Sequence, residues 1–398
     1  MNVVRAIFII FPIFIIFVPT IRIGSIPLRV EDIILIFLLS CVGFYNKGET
    51  NKIYSAKISF IFFALMILVV SSALFEWLFS TDTNFKTLFF GLSFIKYYLW
   101  FIVVTTLFSH LKVESKILGV IKFCFYIQLF VIFCQKFDLL GFGSGFFYNL
   151  VIKYYAIPNI YATTTDLEQL TSTHMNFSFR PAGIIGSSTV TGMCLLLLGL
   201  YIYNKTGNYI YRLLTILSLV LSFAKIAIVC FLILEIVIPL FRADLGKVKV
   251  AIFEMIFISP VALYAVMNLG VMDNLERTLD GSDRGVTHRG DVFELVFNQD
   301  LSGLLWGNYN SLPFSAFDSG ILLTIYRHGA VYLLFEYVAI FLIFSSISRD
   351  RFYSFYFLIV FIFSDMTFGS VFNPVFSNLI VLFMLLSLYG FNLKRDIK

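Results

Sequence analysis

Charge is what this chain has least of. Asp, Glu, Lys and Arg together make 13% of its 398 residues, against 59% hydrophobic residues that include 49 Phe. A soluble globular domain carries about twice that charged share, so the water-soluble class is excluded. The charge that is present sums to +5, and in such a chain it reports on topology before it says anything of nucleic acid. Cysteine is equally uninformative as chemistry. Cys41, Cys124, Cys134, Cys194 and Cys230 all lie inside apolar runs, which supports neither a disulfide framework nor a thiolate metal site and favours small core residues. Also missing are a His-Glu-x-x-His pair, a Walker loop, a Gly-x-Ser-x-Gly elbow and paired aspartates at metal spacing, so no metal or cofactor is expected. There is no internal repeat and no low-complexity tail. No small-x-small cleavage pattern follows the first apolar stretch, which therefore reads as a retained span.

What the chain does have is a series of apolar runs near 20 residues, the length of membrane helices rather than of barrel strands. They fall at 6–21, 31–45, 58–79, 87–108, 117–140, 183–203, 250–270, 320–345, 354–372 and 375–392, with a longer stretch at 213–241. The connections carrying Lys47, Lys52 and Lys57, Lys112 and Lys116, Lys205 and Arg212, Arg242, Lys247 and Lys249, Arg349 and Arg351, and Lys394, Arg395 and Lys398 all read as cytoplasmic. Both ends of 213–241 are in that set. The stretch must enter and leave on one side, as two short helices hinged near Ser222-Phe223-Ala224-Lys225. The expectation is an all-α, polytopic membrane protein of about twelve transmembrane helices, a single integral domain over 1–398 with both termini cytoplasmic. The same alternation places two long loops, 141–182 and 271–319, on the opposite face.

Those loops hold the candidate chemistry. The first ends in Phe179-Arg180-Pro181-Ala182-Gly183-Ile184-Ile185-Gly186-Ser187-Ser188. Arg180 suits a phosphate, because its planar fork matches phosphate oxygens; it equally suits an anchor in lipid headgroups. The second loop gathers Arg277, Arg284, His288, Arg289 and Asp291, then an aromatic run from Trp306 to Phe317, and closes on Asp318-Ser319-Gly320. Within the apolar runs, Lys225 and Arg327 stand out, since a cation at membrane depth costs about 2.5 to 3.5 kcal/mol. Glu76, Lys96, Glu235, Glu254, Glu336 and Asp365 raise the same question, and mutual pairing or snorkelling answers it as well as function does. The loop aromatics Phe146, Phe147, Tyr148, Tyr154, Tyr155 and Tyr161, then Trp306, Tyr309, Phe314 and Phe317, serve sugar stacking and an interfacial belt equally.

The order of these features resembles the O-antigen polymerase (Wzy) and O-antigen ligase superfamily. The likeness rests on Arg180-Pro181-Ala182-Gly183 closing a long outer loop, the hairpin Leu221-Ser222-Phe223-Ala224-Lys225, and a second outer loop with arginines. Asp318-Ser319-Gly320 then opens a helix that continues Arg327-His328-Gly329-Ala330. It covers residues 170–345 in motif order and the whole chain in helix count. The resemblance implies a metal-independent membrane glycosyltransferase of the GT-C-like class in the bacterial inner membrane, polymerising undecaprenyl-diphosphate-linked repeat units of O-antigen or capsule on the periplasmic face. Donor and acceptor are then lipid-linked glycans, lipid is the surrounding partner, and a polysaccharide chain-length regulator is a further one. By the same likeness Arg180 matches the first-loop arginine and Arg289, or else Arg284 or Arg277, the second. Gly192, and Gly303 or Gly307, fall near but not on the family's expected glycine positions. A ligase histidine falls near Asp318, so Asp318 or His288 is the proton acceptor, with Lys225 assisting the arginines at the diphosphate. The ligase activity, and a flippase or other secondary transporter, are the competing expectations.

Overall fold

The structure is a computed structural model that describes residues 2–23, 26–45, 52–79, 92–108, 113–156, 181–241, 245–268, 284–308, 319–347, 351–368 and 374–387. Helix α1 (Asn2–Phe17) leads into a short antiparallel pair, β1 (Ile21–Ile23) and β2 (Ile26–Leu28). Then come α2 (Val30–Tyr45), α3 (Lys52–Phe79), α4 (Ile95–Val103, drawn out by a π turn, Val104–Phe108) and α5 (Glu114–Lys136). The short α6 (Phe146–Val151) precedes α7 (Ser188–Thr206), α8 (Ile210–Ser222), α9 (Lys225–Leu232, carried on through Ile233–Val237 and Ile238–Phe241) and α10 (Leu245–Asn268). Last are α11 (Arg284–Phe297), α12 (Leu301–Trp306), α13 (Gly320–Ile347), α14 (Arg351–Phe368) and α15 (Pro374–Ser387). Apart from the β pair, the described architecture is helical, as the apolar runs require.

Helix α7 is the axle. Every residue from Val190 to Ile202 is buried, and a helix apolar all round has no face to give to water. It packs on α5 and α8, while α13 packs on α3 and α14. Close approach is set by Gly192, where a Cβ would overlap the Ala224 Cβ of the hinge. Among the described residues, three segments are long and apolar enough to cross a membrane: Ala56–Phe75, Ser115–Lys136 and Gly320–Ile347. Large apolar side chains also face outward, such as Phe60 (71% exposed) and Phe253 (69%). In water that surface would be costly at about 25 cal/mol per Å². The apolar helices mark a membrane protein.

The hinge expected at 222–225 is present. Helix α8 stops at Ser222, Phe223 takes a left-handed φ of 49°, and α9 starts at Lys225. One expectation is corrected. Arg212 is not a connecting-loop charge but a fully buried residue of α8. Its Nη1 lies 2.8 Å from Glu235 Oε2 and its Nε 2.9 Å from Glu254 Oε2, so one guanidinium ties α8, the α9 continuation and α10 together. This is the mutual pairing foreseen for Glu235 and Glu254, and Lys96 makes a similar bridge to Asp32 at 2.6 Å. At the other end of the chain, buried Arg29 donates to the Phe14 and Ile15 carbonyls, at 3.2 and 2.8 Å, and so closes the C-terminus of α1.

Candidate functional site

Two polar assemblies interrupt this apolar frame. The first surrounds the turn that follows Arg180. Pro181, Ala182 and Gly183 are buried, and buried backbone must find partners. Helix α5 supplies them from Gln128 and Gln135, both fully buried. Gln135 Nε2 donates to Gly183 O at 3.2 Å and its Oε1 accepts from Gly183 N at 2.8 Å. Gln128 Oε1 accepts from Ile184 N at 3.1 Å, and Thr191 Oγ1 donates to Ala182 O at 2.6 Å. The next α5 residue, Lys136, is also buried, with its Nζ 4.4 Å from the centroid of the Phe223 ring. The α5 end, the turn after Arg180 and the hinge that begins α9 therefore meet in one place. Lys225 is exposed at that hinge.

The second assembly occupies what the sequence presents as a loop. The segment 284–306 is instead two helices, because Val292 and Val296, four apart, are both buried on one side of α11. Asp300 then caps α12 through its Oδ1, which accepts from Gly303 N at 2.9 Å. Beyond α12 the chain meets a break in α13. Gly329 has φ 84° and ψ 163°, and a Cβ there would overlap the Leu305 carbonyl. The break sits one turn after Tyr326, whose carbonyl accepts from Asn308 N at 2.7 Å. Arg327 and His328 are buried at the same break, and the His328 ring lies 5.0 Å from that of Tyr332. Beside it lies an open surface groove of about 460 Å³ lined by Asp291, Glu294, Leu295, Asn298, Gln299, Asn308 and Tyr326.

Of the residues singled out from sequence, Arg180 and Asp318 lie outside the described residues, as does Arg277. Arg284, His288 and Arg289 are placed on the first two turns of α11 by backbone alone. At i, i+4 and i+5 they fall within about 140° of arc on that helix. Lys225 is located fully. Sequence reasoning missed Gln128, Gln135, Lys136, Glu294, Gln299 and Tyr326. The aromatics divide: Phe146 is exposed, Phe147 stacks on Phe142 at 4.5 Å, and Tyr155 OH donates to Phe17 O at 2.6 Å. Burial pushes the Tyr155 phenol above its ordinary pKa, which keeps it a donor. No family model matches the chain, and no curated protein matches it either.

Proposed function

We propose that this chain is a membrane glycosyltransferase that polymerises undecaprenyl-diphosphate-linked oligosaccharide repeat units, crossing the bacterial inner membrane about twelve times with both termini cytoplasmic. The observation that carries the reading is the meeting of the turn after Arg180 with Lys136 and the Lys225 hinge. A leaving diphosphate needs cations where its charge develops, and two lysines from separate helices, Lys136 of α5 and Lys225 of α9, stand at the turn that follows Arg180. Arg180 and Lys225 hold the diphosphate, with Arg289 or Arg284 arriving from α11. An acceptor hydroxyl oxygen attacks the anomeric carbon, the bond to the diphosphate oxygen breaks with its electron pair, and the hydroxyl proton passes to Asp318 or His288.

The test is a deletion strain with plasmid complementation. Deletion is expected to leave glycan-capped lipid bearing a single repeat. Arg180→Lys keeps charge but loses the bidentate fork, and is expected to lower polymer output about tenfold or more while inserting normally. Accumulated lipid-linked polymer on deletion would instead make the chain a ligase. Full polymer in the deletion strain would overturn both activities, and wild-type output from Arg180→Lys would remove the diphosphate clamp.

A further inference from the structure

The groove between α11 and the break in α13 is chemically unlike the cationic cluster. Asp291, Glu294, Leu295 and Asn298 recur at i, i+3, i+4 and i+7, so they form one wall from one helix face. The opposite wall is Asn308 and Tyr326, fixed to each other through the 2.7 Å backbone bond. Just past the end of α11 comes Gln299, whose amide nitrogen and oxygen are both shielded from solvent without a hydrogen-bond partner among the described residues. The volume of about 460 Å³ falls in the roughly 300 to 1,000 Å³ range of small-ligand sites. Among the described side chains, two carboxylates and no Lys or Arg line it. A phosphate brought here would meet like charge.

The lining does match a polyhydroxyl ligand. A sugar hydroxyl both donates and accepts, carboxylates only accept, and amides do each from opposite ends. Leu295 adds one apolar contact for a ring face. We propose that this groove binds the uncharged or amino-bearing sugar portion of a glycan and excludes its phosphate, a specificity subsite that deepens the glycosyltransferase reading and rests on it for the glycan's identity. Glu294 and Gln299 are its principal contacts. Glu294 is already oriented by Asn298 Nδ2, 3.5 Å from its Oε1, a contact weak enough for a hydroxyl to replace.

The experiment uses the full chain purified in detergent micelles and saturation-transfer NMR. One probe is the free oligosaccharide released by mild acid from the lipid-linked pool of the deletion strain; the other is inorganic diphosphate. Wild type is expected to bind both. Glu294→Ala combined with Gln299→Ala should raise the oligosaccharide Kd about tenfold or more and leave the diphosphate Kd unchanged. Glu294→Gln, which keeps shape and loses only charge, should weaken the same probe in the same direction, and it serves if the double variant melts early. Absent oligosaccharide binding by wild type, unchanged binding by the variants, or loss of diphosphate instead would each overturn the subsite. The two readings separate cleanly. Oligosaccharide binding through Glu294 in a chain whose deletion leaves polymer intact would sink the polymerase and keep the groove, whereas polymer that needs the chain but not Glu294 or Gln299 would do the reverse.

Discussion

At the scale of single residues, the informative side chains are amides rather than charges. Arg180 could be picked out from sequence because Arg-Pro-x-Gly is a local signal, whereas the residues that hold its turn could not. Gln128 and Gln135 are seven apart in an apolar run, and their partners lie 56 and 48 residues onward, beyond the reach of any spacing rule. Lys136 was hidden for the same reason, as a basic residue at a helix end reads as an interfacial anchor. The role of Gln135 is testable without any assay of activity. Gln135→Leu removes both partners of the Gly183 backbone, and each buried group left unsatisfied costs about 1 to 3 kcal/mol. Thermal unfolding of the detergent-solubilised variant should therefore shift clearly downward, with Gln135→Glu, which keeps one acceptor, falling between. A Gln135→Leu melting curve superimposed on wild type would mean the turn is held by something else.

At the scale of elements, the hinge at 222–225 was readable because charge parity demanded a hairpin and Ser-Phe-Ala-Lys offered the only break. The helices of the second loop were not. Asp280-Gly281-Ser282-Asp283 and Gly290 are turn chemistry, and they outweigh a stripe as short as Val292, Leu295 and Val296. Arg212 misled in the other direction. It stands on the first turn of α8, seven residues after Lys205, so it counts as a loop charge until its acid partners, 23 and 42 positions onward, are seen to bury it. Removing one member of a buried ion cluster costs about 3 to 5 kcal/mol, because the others stay charged and uncompensated. Arg212→Ala should thus sharply reduce the yield of monodisperse protein by fluorescence-detected size exclusion. Arg212→Met with Glu235→Gln and Glu254→Gln, which leaves no charge behind, should recover most of it. Equal loss in the single and triple variants would show that the cluster supplies packing and not charge balance.

For the whole molecule, the helical, apolar character was legible in composition and the positions of the long helices in the apolar runs, while the number of crossings and their sidedness rest on basic connections alone. With Arg212 buried, the connection between α7 and α8 keeps Lys205 as its charge, and the parity argument has to survive that loss. The hairpin geometry supports it. Helix α8 has 13 residues, about 20 Å at 1.5 Å per residue, short of a hydrocarbon core of about 30 Å. A segment too short to cross, a left-handed turn at Phe223 and a second helix that brings Glu235 back to Arg212 fit a stretch that enters and leaves on one side. Residues 206 and 246 must then share a side. In a background with the five native cysteines replaced, Thr50→Cys, Thr206→Cys and Gly246→Cys should resist a membrane-impermeant thiol reagent in intact cells and react after permeabilisation. Thr165→Cys and Gly285→Cys should react from outside, as the Lys and Arg asymmetry requires. Labelling of Gly246→Cys from outside with Thr206→Cys protected would mean that 213–241 crosses once. Every later helix would then invert, and α11 with its groove would face the cytoplasm, away from any periplasmic glycan.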